Sequence, residues 1–270
     1  VNRAPQIGAG ANIITTYGRT DTATGFAASY GTATNDTNSR GTRAYIYSFA
    51  AGSETVTGGI TIDSTTGVVT VSSSVAARAN NPYKETITVT DALDMTGTET
   101  FTVLVNPAIV ISGTTTMVTT QGISRVYPVL TWTGGTTSQQ GTISNSGSYR
   151  AMQFTMSPSI TGISIDSSTG AITIGTNAVA GKYWETVTAT DSVTATGTLA
   201  FSIWVNAPPV MGAISPVVTT YGRVDTAVAT AATFGTASNT VDDSRGGRAY
   251  IYSLSGDTTS ALVFDATTGN

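Results

Sequence analysis

The chain has 270 residues with neither cysteine nor histidine, which excludes disulfides, thiol catalysis, thiolate metal sites and every mechanism that needs imidazole. Charged residues make up 10%, the net charge is -4 and lysine occurs only at Lys84 and Lys182, so the concentrated basic surface that nucleic acid requires cannot be assembled. No run approaches the roughly 18 apolar residues of a membrane helix, which predicts no membrane insertion within these residues, and the opening VNRAPQIGAG lacks the build of a signal peptide.

Short Thr/Val/Ile runs alternate with Gly, Asn, Asp and Ser, and helical periodicity is absent. This pattern predicts an all-β chain, with β-branched residues suiting a pleated surface. In chain order, TTYGR (15–19) is followed by YGTATN (30–35), SRGTR (39–43), RAYIYS (43–48), the hairpin phrase GITIDSTTGVVTV (59–71), and YKETITVTDALDMTGTETFTVLVN (83–106). The series then starts again with TTQGISR (119–125), RAMQFTMS (150–157), IDSSTGAITI (165–174) and YWETVTATDSVTATGTLAFSIWVN (183–206). It starts a third time with TTYGR (219–223), FGTASN (234–239), SRGGRAYIYS (244–253) and FDATTGN (264–270).

Tyr83 and Tyr183 open equivalent strands 100 residues apart, and this period is the size of one Ig-like sandwich. Repeats one and three resemble each other more than either resembles repeat two, as two alternating module types would. Each VN closes the last strand of a module, and the proline that soon follows breaks pairing in the linker. The phase therefore predicts the end of a preceding module and a linker at 1–6, modules at 7–106 and 107–206, and an incomplete module at 207–270. The last lacks everything equivalent to Val68 through Asn106, as expected of a window on a longer polypeptide.

Comparing repeats fixes the buried faces. RAMQFTM sets Met152, Phe154 and Met156 against Tyr45, Tyr47 and Phe49, and Gln153 against Ile46. The face that stays apolar faces the core, so Tyr45, Tyr47, Tyr250 and Tyr252 are expected inside. The same alternation turns Ile87, Val89, Phe101, Val103, Val105, Val187, Phe201, Ile203 and Val205 inward and leaves Thr86, Thr88 and Thr90 as a solvated ladder. Leu104 and Trp204 fall on the outer face beside the linkers, where they are expected to pack one module on the next.

The order of an aromatic strand, a GxxIDxxTGxI hairpin, a YxxTVTATD strand and a closing FTIxVN strand resembles the Ig-like and cadherin-like repeats of large bacterial surface and secreted proteins. It covers the later half of the first two repeats and the middle of the third. TTYGR and SRGxR are not part of that pattern. The resemblance implies tandem sandwiches in an extracellular array of adhesin, stalk, filament or surface-layer type.

Three features could carry chemistry. In the IDxxTG phrase, Asp63, Asp166 and Asp265 are expected to bond amides two and three residues on, with Gly supplying positive φ. Asp91 and Asp191 end the TVTD and TATD strands, but the linkers carry no acid, too few anionic ligands for calcium of the cadherin type. A site using Asp91 with Asp94, or Asp242 with Asp243, is weakly supported. SRGTR and SRGGR place Arg40 with Arg43, and Arg245 with Arg248, either as a docking loop for carboxylates or sugars or as a surface turn with local ion pairs.

Catalysis fails on inventory: Glu85 and Glu185 occupy equivalent strand positions, which looks like architecture, and serine chemistry lacks its base. The expectation is a non-enzymatic, cofactor-free, extracellular structural protein whose partners are neighbouring modules or copies of itself. The alternative is an adhesin that binds a surface glycan or protein through the SRGxR loops.

Overall fold

The computed structural model describes residues 2–10, 12–33, 43–54, 59–78, 81–137, 151–214, 216–228, 232–235, 249–256 and 262–270. Arg40, Asp242, Asp243, Arg245 and Arg248 lie outside the described residues. The chain forms two compact units, one of Val1–Ile111, Thr131–Gln153 and Thr188–Thr198, the other of Ser112–Leu130, Phe154–Val187 and Leu199–Asn270.

The chain is all-β and Ig-like. Its first sandwich contains β1 (Gln6–Ile7), β2 (Ile13–Thr16), β3 (Asp21–Ala23), β4 (Ala28–Ser29), β5 (Ile46–Phe49), β6 (Ile60–Ile62), β7 (Val69–Val71), β8 (Tyr83–Thr90) and β9 (Thr96–Asn106). One sheet has the order β2-β9-β8-β5, the facing one β3-β7-β6, and β1 pairs with β4. β2 runs parallel to β9, in register from Ile13 opposite Val103 to Thr16 opposite Asn106.

The core follows from the period of two. Tyr83, Ile87, Val89, Phe101, Val103 and Val105 turn inward from β8 and β9 and meet Ile60, Val69, Val71 and Phe26. The Phe26 and Phe101 rings sit 4.7 Å apart at a tilt. Tyr45 and Tyr47 are buried as expected, and their hydroxyls are satisfied: Tyr45 donates to the Tyr30 carbonyl, and the Ala28 amide donates to Tyr47 at 3.0 Å. Thr86, Thr88 and Thr90 are half-buried on the other face, with Thr86 3.0 Å from Thr100 across the ladder.

The second set of strands runs β10 (Val110–Ser112), β11 (Thr116–Thr120), β12 (Arg125–Val126), β13 (Thr131–Thr133), β14 (Gln153–Ser157), β15 (Ile163–Ile165), β16 (Ile172–Ile174), β17 (Gly181–Thr190) and β18 (Thr196–Asn206). Its sheets repeat the pattern as β11-β18-β17-β14 and β12-β16-β15, with β10 on β13. Met152, Phe154, Val187, Phe201, Ile203 and Val205 are buried.

The Asp-centred turn of the hairpin phrase recurs in all three repeats. The Thr65 and Thr66 amides donate to Asp63 Oδ1 at 2.9 and 2.7 Å, and the Ser168 and Thr169 amides donate to Asp166 Oδ1 at the same distances. Thr267 and Thr268 do the same for Asp265. Gly67, Gly170 and Gly269 follow at φ 72°, 71° and 75°. These amides hold all three carboxyls below the ordinary carboxylate range.

From 207 onward, Val210 and Thr233 form the one isolated bridge among the described residues. The RAYIYS copy, expected as a strand, has no ladder at Tyr250 and Tyr252. In the first sandwich that segment is β5, held in place by β8. Residues 207–270 contain no counterpart of the β8 sequence.

Candidate functional site: a buried polar joint

β2 and β9 end together, which brings Thr16 and Asn106 side by side. The Tyr17 amide then donates to the Asn106 carbonyl at 2.8 Å, so the chain turns away and leaves both side chains at the end of the sandwich. Against them stand Thr136 and Asp191, which belong to the same compact unit.

Thr16 Oγ1 donates to Asp191 Oδ2 at 2.5 Å and lies 2.8 Å from Thr136 Oγ1. A hydroxyl has one hydrogen. Thr16 gives its hydrogen to the carboxylate, so Thr136 must donate to Thr16. Asn106 Nδ2 in turn donates to Thr136 Oγ1 at 2.9 Å. The result is a one-way chain from amide to hydroxyl to hydroxyl to carboxylate. All four residues are buried, where a satisfied polar chain is strong and a broken one is costly.

The acceptor is held rigidly. The Val193 and Ala195 amides donate to Asp191 Oδ1 at 3.0 and 2.8 Å, and the Thr136 amide donates to Oδ2 at 2.8 Å. At the rim, Arg19 donates from Nη1 to Thr194 Oγ1 and from Nε to Asp21 Oδ1, the latter at 2.7 Å. The linker is seated as well. A Cβ on Gly134 would lie 2.1 Å from the Ala108 carbonyl oxygen, and one on Gly197 would lie 2.6 Å from that of Ile109.

The acceptor half recurs at the start of the first repeat. Asn2 Nδ2 donates to Thr32 Oγ1 at 3.2 Å, the Thr32 amide to Asp91 Oδ2 at 2.8 Å, and the Leu93 and Met95 amides to Asp91 Oδ1 at 2.8 and 3.0 Å. Burial pushes the Asp91 carboxyl up, but these amides and the Arg43 guanidinium outweigh it and hold it below its ordinary range. Arg43 Nη2 donates to the Asp91 carbonyl at 2.6 Å and also to Asp94. Asp94 and its counterpart Thr194 both take the left-handed conformation, at φ 61° and 65°. Among the described residues no group of three or more acidic side chains gathers as a metal site would need.

Of the residues singled out from sequence, Arg43 sits beside Asp91. Leu104 is buried on β9 in register with Ile14, and Trp204 is half-buried with Lys182 Nζ 4.4 Å from its ring centre. Sequence reasoning gave Thr16, Asn106 and Thr136 no role. The available signal was the return of TTYGR and VN at fixed phase.

A second polar feature is internal. Glu85 and Glu185 face the core, fully buried, and their carboxylate oxygens have no hydrogen-bond partner among the described residues. Burial pushes Glu85 up to about 7, with Glu54 acting in the same direction and Arg78 opposing. Burial also pushes Glu185 up.

No protein-family model matches the chain, and no curated protein does. Among solved structures it is similar to the I-band fragment I67–I69 from titin, at 12% identity and a TM-score of 0.41, covering 77% of this chain and 67% of that one. It is also similar to Drosophila N-cadherin EC1–4, at 17% identity and a TM-score of 0.32, covering 75% of this chain and 49% of that one.

Proposed function

We propose that this chain is a non-catalytic stretch of an extracellular repeat array in which Ig-like modules at 7–106 and 107–206 and an incomplete one at 207–270 act as spacers, joined through buried polar contacts and belonging to a surface filament, stalk or lattice. The observation that carries this reading is the Asn106–Thr136–Thr16–Asp191 chain. Four buried side chains drawn from two repeats are spent on fixing one repeat against the next. A loose tether would leave them solvated, and a catalytic site would leave one of them open to substrate.

The competing reading is an adhesin that binds glycan or protein through Arg40, Arg43, Arg245 and Arg248. Arg43 is already engaged with Asp91 and Asp94, which favours the structural role.

Backbone NMR relaxation on the full chain and on Thr16→Val tests the proposal. The first two repeats of the native chain should share one rotational correlation time, and the substitution should separate them. Independent tumbling in the native chain overturns the reading. Glycan or protein binding that is lost on replacing the four arginines, with relaxation unchanged, supports the adhesin instead.

A further inference from the structure

The outer face of the second sandwich departs from that of the first at two strand positions. Trp184 stands where the first repeat has Lys84, and Trp204 stands where it has Leu104. Their strands, β17 and β18, are the two inner strands of the sheet β11-β18-β17-β14. The first sandwich pairs Lys84 with Thr102. The same pairing 100 residues on sets Trp184 against Ser202 and Lys182 against Trp204, in agreement with Lys182 Nζ lying 4.4 Å from the Trp204 ring centre. The two indoles are then diagonal neighbours about 7–8 Å apart. β11 adds Thr116 opposite Ser202.

Trp184 is 69% exposed, so an inner strand of the sheet holds a large flat apolar ring out in water. Lys84 is exposed at the equivalent place, although the whole of the second repeat follows it. The position is therefore open by its place in the strand. Around the ring stand hydroxyls. Ser202 Oγ reaches Thr116 Oγ1 only at 3.4 Å, a long contact that leaves lone pairs on both, and Thr186 follows Trp184 on the same side of β17. β11, β17 and β18 carry only two charged residues, of which Glu185 is buried. Lys182 is thus the only charge that these strands present on the outer face, and it is seated over the Trp204 ring.

We propose that this face binds an acidic polysaccharide, a uronic-acid chain whose sugar ring stacks on Trp184 and whose carboxylate meets Lys182. A pyranose offers a flat face of C–H groups to the indole and a rim of hydroxyls to Ser202, Thr116 and Thr186. The cation, with no acid beside it on these strands, selects an anionic sugar over a neutral one. One lysine is too little for nucleic acid. A second copy using the same face would set Lys182 against Lys182, so charge complementarity favours the saccharide. The face is shallow, and affinity for a short oligomer is on the order of 1 mM. This activity goes beyond the spacer role and uses none of the SRGxR arginines.

Isothermal titration of the full chain with oligomers of polygalacturonate, of alginate and of methyl-esterified polygalacturonate tests this. The native chain should bind an acidic oligomer and bind the esterified one about tenfold more weakly. W184K installs the first repeat's own residue at this strand position, and thermal melts check that the variant folds. It should weaken binding at least about tenfold even though it adds a positive charge, whereas simple attraction between charges would tighten it. K182Q should weaken the acidic oligomer about tenfold and leave the esterified one unchanged. No binding of either acidic oligomer up to about 10 mM, or binding that W184K leaves unchanged or tightens, overturns the proposal. Self-association that W184K abolishes, with no saccharide bound, overturns it as well and makes the face a contact between copies.

Discussion

The Thr16 hydroxyl donates to the Asp191 carboxylate over 2.5 Å, across 175 residues of sequence and at full burial. A hydrogen bond to a buried charge stabilises by about 1.5–3 kcal/mol. Thr16→Val keeps the shape and removes the donor, so it should cost that much in urea unfolding. Asn106→Ala removes a neutral donor at the far end of the same chain and should cost about 0.5–1.5 kcal/mol. Because the two act on one chain, the double variant should cost less than the sum.

Stability should peak in mildly acidic solution. Glu85 is raised from 4.5 to about 7 in the folded protein, and Glu185 is raised as well. The Glu85 contribution is fully present below 4.5 and is lost as pH climbs toward about 7, and that of Glu185 is likewise lost as pH rises above 4.5. Asp63, Asp91, Asp166 and Asp265 are lowered from 3.8, so theirs is present above 3.8 and is lost as pH falls further. Melting temperature against pH should therefore be highest at about pH 4–5. Glu85→Gln and Glu185→Gln together should flatten the neutral limb and leave the acid limb in place.

The hairpin glycines should resist substitution unequally from the turn glycines. An added Cβ at Gly67 would approach the Tyr47 ring to 2.9 Å, while Gly18 has nothing within 4 Å. Both have positive φ, which costs an L-residue about 1–2 kcal/mol. Gly18→Ala should cost that alone, and Gly67→Ala should cost more, because a core ring has to move. Chemical denaturation of the two variants separates the effects.

The linker seat gives a test that leaves the polar chain chemically intact. Gly134 has φ 74° and lies under the carbonyls of Pro107 and Ala108. Gly134→Ala should therefore cost more than about 2 kcal/mol and, like Thr16→Val, is expected to separate the tumbling of the first two repeats. Unchanged relaxation would show that the linker does not need this close approach.

The core was legible in sequence because a period of two leaves two choices of face, and comparison of repeats removes one of them. Tyr47 against Phe154 settled β5 in that way. The hairpins were legible because a short acid two residues before an amide has few other conformations to offer. The joint was not legible, since Thr, Asn and Asp are the usual residues of solvated turns. Only packing distinguishes Thr16 from the exposed threonines around it. Glu85 shows a conflict between two signals. Its place in the alternation with Tyr83, Ile87 and Val89 points inward, its charge points outward, and the alternation wins. The strand sequence copied at 249–253 shows the opposite limit, an alternating pattern with no ladder among the described residues.

The Glu85 carboxyl, without a hydrogen-bond partner among the described residues, makes each unfolding event a proton-releasing step between about pH 4.5 and 7, because the compact state holds a hydrogen that the open chain gives up. In a protein placed under tension, extension and acidity then become coupled through the protons released on unfolding. Pulling a repeat open liberates acid, and an acidic medium raises the force needed to do so.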